Sequence, residues 1–229
     1  MKLAIIPARG GSKRIPRKNI KPFAGRPMIE YAIAAAHESG LFGQIVVSTD
    51  DDEIAAVATA AGAQVPFRRP AALADDHSPT LPVIADAIER CALLGWAAEA
   101  VCCIYPAVPM LRAADLVTAW ELLACGGADY VFPVIAYPSP IQRALRREAD
   151  GLTRPFHPEF TLTRTQDLES AYRDAGQFYW GRTEAWRAGL DIHTHARTIV
   201  VPEWRNIDID TPDDWRRAEA LHRLAAEFA

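Results

Sequence analysis

The sequence lacks the features that mark several large classes of protein. Its four cysteines form no Cys-x-x-Cys pair and no Cys/His group with the spacing of a zinc site. No stretch approaches the roughly 20 apolar residues that cross a bilayer. The net charge of −4 provides no general basic face for nucleic acid. We therefore expect no zinc site, no membrane partner and no nucleic-acid partner.

Two widespread nucleotide-binding motifs are also missing. The pattern Gly-x-x-x-x-Gly-Lys-Ser/Thr does not occur, which excludes a P-loop. Gly-x-Gly-x-x-Gly does not follow the first apolar run, which disfavours a dinucleotide site. A nucleotide site in this chain would therefore need a different loop.

The N-terminal region and the cysteines indicate a cytoplasmic protein. The apolar run after Lys2 is too short for the core of a secretory signal, because Arg9 ends it. We interpret the cysteines as small buried apolar residues in a reducing compartment. They are Cys91, Cys102, Cys103 and Cys125.

Apolar runs alternate with helical patterns along the 229 residues. Strands are predicted over residues 3–8, 44–48, 100–105, 130–136 and 198–202. Helices are predicted over residues 27–39, 50–61, 80–94, 113–125 and 212–229. This alternation predicts one α/β domain over residues 1–229, with a mostly parallel sheet covered by helices on both faces.

The alternation breaks between residues 137 and 176. Four prolines and many charged residues interrupt this segment, and it contains few long apolar runs. In a parallel-sheet protein such an excursion is typically a lid, a substrate loop or a dimer arm. A loop with a purely structural role is the alternative interpretation.

The strongest chemical signal is a basic loop directly after the first predicted strand. Five cations and no acid lie within residues 7–19: Arg9, Lys13, Arg14, Arg17 and Lys18. Gly10 and Gly11 allow the backbone to approach a ligand and to direct N–H groups toward it. Ligands of open α/β sheets bind beyond the carboxyl ends of the strands, where this loop lies. A triphosphate fits this pattern, and a solvated basic turn is the alternative.

Two carboxylates near the end of the chain form a second signal. Asp208 and Asp210 are two residues apart, so on an extended segment they point the same way and can share a hard cation. Mg²⁺ would complete its shell with phosphate oxygens and water. Alternatively, Asp210 or Thr211 caps the helix that begins at Pro212, which is compatible with metal binding.

These stretches together resemble a known family, the acylneuraminate cytidylyltransferases, and the resemblance covers essentially the whole chain. Those enzymes make CMP-activated nine-carbon acidic sugars. The matching stretches are the loop 7–19, Ser48-Thr49-Asp50, Arg69-Pro70, residues 73–76 and the segment 207–211.

Within that family the sequence is most similar to the branch that activates pseudaminic acid. Residues 164–172 and 174–181 carry this finer resemblance. The sialate branch has Gln-Pro-Thr-Ser-Pro where this chain has Tyr105-Pro-Ala-Val-Pro109, so an amide that touches the sugar is replaced by an aromatic ring. Pro106 and Val108 also depart from the Tyr-Ala-Thr-Ala-Pro usual in the pseudaminic branch. Synthetases for CMP-N-acetylneuraminate or CMP-legionaminate are the alternatives.

The resemblance implies a single Rossmann-like nucleotidyltransferase domain that uses CTP and a nine-carbon acidic sugar. It implies that the sugar C2 hydroxyl attacks the α-phosphorus of CTP and that pyrophosphate leaves. Catalytic roles fall on Arg9, Lys18, Asp208 and Asp210, with Mg²⁺ bound by the two aspartates. Nucleotide binding falls on Ala8, Arg9, Gly10, Gly11, Ser12, Lys13, Asn19, Arg69 and Thr80.

The sugar site is expected beside Tyr105 and around the excursion. The sugar carboxylate needs cations, and an arginine fork matches a carboxylate well. The candidate residues are Tyr105, Arg143, Arg164, Arg173, Gln177 and Tyr179. The family resemblance also implies a homodimer in which residues 137–176 form an arm that reaches the sugar site of the other subunit.

Three assignments stay open on the residues alone. Arg14 and Arg17 belong either to the phosphate site or to the flanking surface. Asp50 either caps the following helix or acts at the site.

Two other classes of function are weighed against this interpretation. Asp208-Ile-Asp210 resembles the Asp-x-Asp motif of metal-dependent glycosyltransferases, although that motif normally lies in the middle of the chain. A nucleotide-binding regulatory module without chemistry would not require the late aspartate pair.

Overall fold

The computed structural model describes residues 1–75 and 78–227. Asp76, which belongs to the family-like stretch 73–76, lies outside these residues, as do the last two positions of the predicted final helix. The helices are α1 (Met28–Glu38), α2 (Asp52–Ala60), α3 (Thr80–Leu93), α4 (Ala113–Ala124), α5 (Thr183–Ala188) and α6 (Pro212–Glu227).

Five of the eleven strands in the described part of the chain fall close to the predicted apolar runs. The strands are β1 (Lys2–Pro7), β2 (Pro22–Phe23), β3 (Arg26–Pro27), β4 (Gln44–Ser48), β5 (Ala100–Ile104), β6 (Tyr130–Ala136), β7 (Leu145–Arg147), β8 (Thr153–Pro155), β9 (Tyr172–Asp174), β10 (Phe178–Arg182) and β11 (Ala196–Val200). β11 begins and ends two residues earlier than predicted, and α2 begins two residues later.

A seven-stranded sheet organises the domain in the order β11-β6-β10-β5-β1-β4, with β9 paired to β6. β1 runs parallel to β4 and β5, and β11 runs parallel to β6. β10 and β9 run antiparallel to their neighbours. The predicted mostly parallel sheet is confirmed. Because β10 is reversed, its first residue, Phe178, pairs with the last residue of β5, Ile104.

Helices cover both faces of this sheet. One apolar cluster joins α1, α2 and α4 to the sheet, and a second joins α3 and α5 to the opposite face. Cys102 belongs to the first cluster and Cys103 to the second, as alternation along a strand requires. Cys125 is exposed, so its interpretation as a buried residue was wrong; it follows the last helical residue of α4.

A third apolar cluster carries the end of the chain back to its beginning. Ile209 and Trp215 pack with Ile15, Phe23 and Met28. The rings of Phe23 and Trp215 meet edge to face at 5.4 Å. Burial of these side chains places the segment 207–211 directly beside the basic loop.

The excursion contains the hairpin β7–β8 and strand β9, which joins the main sheet. Many of its apolar side chains are exposed, including Leu145, Leu152, Phe156 and Leu162. Its predicted function as a dimer arm stays a prediction. Within residues 1–75 and 78–227, no helix is both long enough and apolar enough to cross a membrane.

Candidate active site

Two adjoining cavities open at the carboxyl ends of the parallel strands. The loop cavity, of about 490 Å³, is lined by the basic loop together with Arg69 and Thr80. The strand cavity, of about 440 Å³, is lined by residues 105–110, 173–177 and 205–209 together with Tyr179. Both cavities share Lys18, Asn19, Tyr105 and Pro106. A ligand in one cavity would therefore lie next to a ligand in the other.

Most of the residues expected to bind a nucleotide line the loop cavity. They are Arg9, Ser12, Lys13, Lys18, Asn19, Arg69 and Thr80, and Asp210 joins them. Ala8, Gly10 and Gly11 are not among the lining residues. Ala8 is buried, and its N–H donates to the carbonyl of Ser48 at 2.9 Å.

Two neighbouring carboxylates brace the basic loop from behind. The Gly10 N–H donates to Asp50 Oδ1 at 3.0 Å. Asp51 caps α2 by accepting from the Ile54 N–H at 2.9 Å, and it also accepts from Arg17 Nη1 at 2.5 Å. The Arg17 hydrogen bond lowers the pKa of Asp51. Asp50 therefore binds the basic loop, and the residue that caps α2 is Asp51.

The remaining two loop cations are assigned by their partners. Arg17 bonds to Asp51 and Glu53 on α2, and it does not line either cavity. Its φ of 58° is left-handed, a conformation that those carboxylate contacts hold in place. Arg14 instead lines the loop cavity and pairs with Asp210 at 2.7 Å.

Asn19 closes the loop on itself. Its Nδ2 donates to the carbonyl of Arg9 at 3.0 Å, and its own carbonyl accepts from the Ile29 N–H at 2.8 Å. The side chain is buried. Asn19 thus fixes both ends of the basic segment and the start of α1 relative to each other.

The late aspartates lie beside this loop, as expected. Lys18 Nζ donates to the Ile209 carbonyl at 2.8 Å and lies 3.6 Å from Asp210 Oδ1. Ile209 is buried between the two aspartates and anchors them through the third apolar cluster. Two stretches almost 200 residues apart in the chain therefore meet at one place.

Thr211 caps the last helix. Its Oγ1 accepts from the Asp214 N–H at 3.2 Å, and its N–H donates to Asp214 Oδ2 at 2.8 Å. The same carboxylate accepts from the Asp210 N–H at 3.2 Å. This reciprocal capping box fixes the backbone of Asp210 while leaving its side chain to the loop cavity.

The donor set at the two aspartates fits Mg²⁺. Asp210 lines the loop cavity and Asp208 lines the strand cavity. Among residues 1–75 and 78–227, no group of three or more His, Cys, Asp or Glu side chains is placed to hold a metal ion. Mg²⁺ is usually held by one or two carboxylates together with phosphate oxygens and water. Metal binding by the two aspartates therefore stays a prediction.

Arg69 is a buried cation on the wall of the loop cavity. Its Nε donates to Ser48 Oγ at 3.1 Å, and its Nη2 donates to the Ser48 carbonyl. Burial lowers the pKa of its guanidinium. Arg69 is therefore a buried residue of the cavity wall and not an exposed loop arginine.

Four of the six residues expected at the sugar site line the strand cavity: Tyr105, Arg173, Gln177 and Tyr179. Gln177 Nε2 donates to the Arg205 carbonyl at 2.9 Å, which fixes the orientation of its amide. Within the described part of the chain, Gln177 Oε1 is buried without a hydrogen-bond partner. Arg205 is held in turn by a buried, bidentate pair with Asp115 at 2.5 and 3.2 Å.

The other two expected sugar ligands, Arg143 and Arg164, line neither cavity of this chain. Arg164 pairs with Asp167 at 2.9 Å on the exposed excursion. Arg143 donates to the Thr163 carbonyl. Local contacts within the excursion therefore hold both arginines, and their sugar-binding role stays a prediction.

Sequence reasoning missed several residues of the strand cavity. Asp174, Arg205 and Asn206 line it; Asp174 lies in the family-like stretch 174–181, and the other two belong to no stretch that the resemblance uses. The signal for Asp174 was available, because it directly precedes Ala175-Gly176-Gln177 at the end of the excursion. Arg205 gave no such signal, because its partner Asp115 lies 90 residues away.

Comparison with known proteins places the chain among cytidylyltransferases. A family model described as cytidylyltransferase matches residues 3–186. A pseudaminic acid cytidylyltransferase of Campylobacter jejuni is 39% identical over 228 residues, covering 99% of this chain and 98% of the relative. A CMP-N,N'-diacetyllegionaminic acid synthase of Legionella pneumophila is 31% identical over 233 residues, covering 98% of this chain and 97% of the relative.

The fold has a counterpart among solved structures. The structure of CMP:2-keto-3-deoxy-manno-octonic acid synthetase complexed with CTP superimposes with a TM-score of 0.72. The match covers 99% of both chains at 18% sequence identity. At that identity the likeness bears on the fold, and it confirms the predicted architecture.

Proposed function

The chain belongs to the cytidylyltransferase family, and we propose that it transfers CMP from CTP to the C2 hydroxyl of pseudaminic acid. The products are CMP-pseudaminate and pyrophosphate. The chain is a nucleotidyltransferase enzyme, and its full-length relatives act on nonulosonic acids. The observation that carries the proposal is the meeting of Asp210 with Arg14 and Lys18 where the two cavities adjoin.

In this proposal the loop cavity binds CTP. Arg9, Lys13 and Lys18 bind the phosphates, since several cations around one triphosphate offset its charge. Arg69 and Thr80, which also line this cavity, contact the cytidine. Because Asn19 and Asp50 fix the loop before the ligand arrives, the cations are already positioned when the nucleotide binds.

The strand cavity binds the sugar in the proposal. Arg173 pairs with the sugar carboxylate, and Gln177 and Tyr105 line the ring. The C2 hydroxyl loses its proton to solvent and its oxygen forms a bond to the α-phosphorus, while the bond from that phosphorus to the α,β-bridging oxygen breaks. In the proposal Lys18 stabilises the charge on the leaving pyrophosphate, which its position on the walls of both cavities supports.

Asp208 and Asp210 would hold Mg²⁺, which supplies charge neutralisation and Lewis acidity at the phosphates. Asp210 also pairs with Lys18 and Arg14, so the aspartate and both cations are held together at the junction of the cavities. In the proposal this arrangement aligns the phosphates with the sugar hydroxyl.

Tyr105 supports pseudaminic acid over N-acetylneuraminate. Its hydroxyl is within 2.8 Å of Thr80 Oγ1, and it presents a ring to the strand cavity where the sialate branch presents an amide. An aromatic wall suits a sugar with a deoxy carbon at that position. The identity to the Campylobacter enzyme over nearly the full length points the same way.

We also propose a cytoplasmic homodimer. Exposed apolar side chains on the excursion, such as Leu152 and Leu162, would be covered by a second subunit. CTP is an intracellular nucleotide, and the four cysteines are all free thiols, as a reducing compartment requires.

The test is a pyrophosphate-release assay with the purified protein and Mg²⁺. Each of the four nucleoside triphosphates is combined with pseudaminic, legionaminic and N-acetylneuraminic acid. The proposal predicts the highest kcat/KM for CTP with pseudaminic acid, and loss of turnover when a chelator removes the metal. Preference for legionaminic or N-acetylneuraminic acid would replace the sugar assignment. Absence of pyrophosphate release with all three sugars would overturn the function.

A further inference from the structure

Asp174 is a carboxylate on the wall of the strand cavity, and the proposed reaction gives it no role. It ends β9, and its side chain is about a quarter exposed. Both of its oxygens are engaged. Oδ1 accepts from the Gly176 N–H at 2.7 Å. Oδ2 accepts from the Tyr179 hydroxyl at 3.0 Å and lies 2.8 Å from His193 Nε2.

A carboxylate at this position satisfies all three partners. A backbone N–H, a hydroxyl and an imidazole N–H all donate to a carboxylate oxygen, and the His193 tautomer that does so carries its hydrogen on Nε2. An asparagine would offer one acceptor oxygen in place of two and would remove the negative charge. Asp174→Asn therefore weakens the hydrogen bonds that meet at this position.

Tyr179 transmits this constraint to the boundary between the two cavities. Its side chain is almost fully buried, and burial raises the pKa of its phenol far above the usual range, so it remains a donor. Its ring packs edge to face on Tyr105, with centroids 5.6 Å apart. Tyr105 lines both cavities, and its hydroxyl meets Thr80 Oγ1 at 2.8 Å in the loop cavity.

His193, the more exposed partner of Asp174, is also held in place by its neighbours. The His193 ring packs edge to face on Phe132 at 5.2 Å, and Phe132 also packs on Tyr179 at 5.7 Å. The backbone N–H of His193 donates to Asp191 Oδ1 at 2.8 Å. Asp174, Tyr179 and His193 therefore form a closed cluster over one buried ring.

We propose that Asp174 is a positioning residue for the transfer reaction: it holds Tyr179, and through Tyr179 it orients the Tyr105 ring that separates sugar from nucleotide. This inference rests on the proposed function and deepens it. Asp174 acts on the sugar through the tyrosine pair, without a hydrogen bond of its own to the sugar.

The test compares Asp174→Asn, Tyr179→Phe and the double variant in steady-state kinetics with CTP and pseudaminic acid. Loss of a hydrogen bond to a charged group is expected to raise the sugar KM on the order of tenfold in each single variant. The KM for CTP is expected to change less than the KM for the sugar, because Tyr105 meets the loop cavity at Thr80 through its hydroxyl, which neither variant removes. The double variant is expected to be no worse than the worse single variant, because both changes break the same link.

Tyr130→Phe is the matched control. Tyr130 is also a buried tyrosine of the sheet, and its hydroxyl donates to the Leu190 carbonyl at 3.2 Å, but it lines neither cavity. It loses the same atom and is expected to keep both KM values. Thermal unfolding of all variants separates a kinetic effect from a loss of folded protein, and Tyr179→Phe carries the test if Asp174→Asn does not fold.

Additive effects in the double variant would overturn the inference, because they would mean that Asp174 touches the sugar directly. Wild-type values in both single variants would also overturn it. If the unmodified enzyme uses a different nonulosonic acid, the same comparison is made with that sugar. If it uses none, the proposed function itself fails, and that result is distinct from active enzyme with unaffected variants.

Discussion

Asp210 is the residue on which the chemistry converges. Its carboxylate contacts Arg14 and Lys18, while its backbone N–H is held by Asp214 at the start of α6. The sequence predicted both the acid and the basic loop, because each is a dense local pattern. The sequence could not decide whether Arg14 belongs to the site or to the flanking surface. Its partner Asp210 lies 196 positions later in the chain, and only folding brings the two side chains to 2.7 Å.

Asp210→Asn is predicted to lower kcat by about a hundredfold or more, since the variant loses a charged group at the reacting phosphate. Pyrophosphate release measures the change, and thermal unfolding should remain near the wild-type value. Asp213→Asn is the control: Asp213 lies three residues away, is exposed and pairs only with Arg216 among the described residues. Equal activity of both variants would remove Asp210 from the reaction.

Gly10 and Gly11 are adjacent in the sequence but differ in the space around them. A Cβ on Gly10 would lie 2.7 Å from Asp51 Oδ2, whereas a Cβ on Gly11 would meet nothing within 4 Å. A sequence pattern of two glycines could not distinguish them, because the neighbour comes from the start of α2.

Gly10→Ala is therefore predicted to destabilise the protein by about 1–3 kcal/mol, because the loop or the Asp51 cap has to shift. Gly11→Ala should lower the free energy of unfolding by much less than Gly10→Ala does, because its Cβ would meet no atom within 4 Å. Urea unfolding of the two variants without ligand gives the comparison. Equal stabilities would show that Asp51 does not brace the loop.

The sequence predicted the helices and strands whose apolar residues follow a regular local pattern. β4 and β6 have the predicted bounds, and α3 and α4 end one residue earlier than predicted. The direction of β10 could not be read from its residues, because it is set by pairing with β5 and β6. That reversal places Gln177 and Asp174 at the carboxyl ends of the parallel strands, so half of the sugar side of the site depends on a non-local pairing.

Asp115 on α4 ties the segment before the late aspartates to the body of the domain. Its pair with Arg205 is nearly buried, with side-chain exposures of 14% and 9%. Asp115→Ala is predicted to destabilise the protein by about 3–5 kcal/mol, because it leaves a buried guanidinium unpaired. Urea denaturation measures this loss.

Asp86→Ala is the control for that prediction. Asp86 pairs with Arg90 one turn along α3, at 2.8 Å and with partial exposure. Its loss should cost about 0.5 kcal/mol or less. Similar losses in the two variants would mean that the Asp115–Arg205 pair contributes no more than a surface ion pair.

For the molecule as a whole, the predicted α/β architecture is confirmed. The function predicted for the excursion, residues 137–176, is not tested by the structure. Several apolar side chains of residues 137–176 are exposed, and Arg143 and Arg164 line neither cavity. A single chain cannot specify what covers such a segment. The dimer arm therefore remains a prediction.

A homodimer is predicted in solution at micromolar concentration. Sedimentation equilibrium should give about twice the chain mass of 25.2 kDa. Leu152→Asp with Leu162→Asp should shift the protein toward monomer, because charge at exposed apolar positions opposes their burial. Leu93→Asp on α3, which is exposed on another part of the surface, should leave the mass unchanged. A wild-type protein that sediments as a monomer would contradict the arm.

The most direct test of the account is a crystal structure with Mn²⁺ in place of Mg²⁺ and a CTP analogue that cannot be cleaved between the α- and β-phosphates. The account predicts the triphosphate on Arg9, Lys13 and Lys18, and an anomalous peak for Mn²⁺ between that triphosphate and the carboxylates of Asp208 and Asp210. A nucleotide bound to the basic loop with both carboxylates turned away and no metal between them would contradict it.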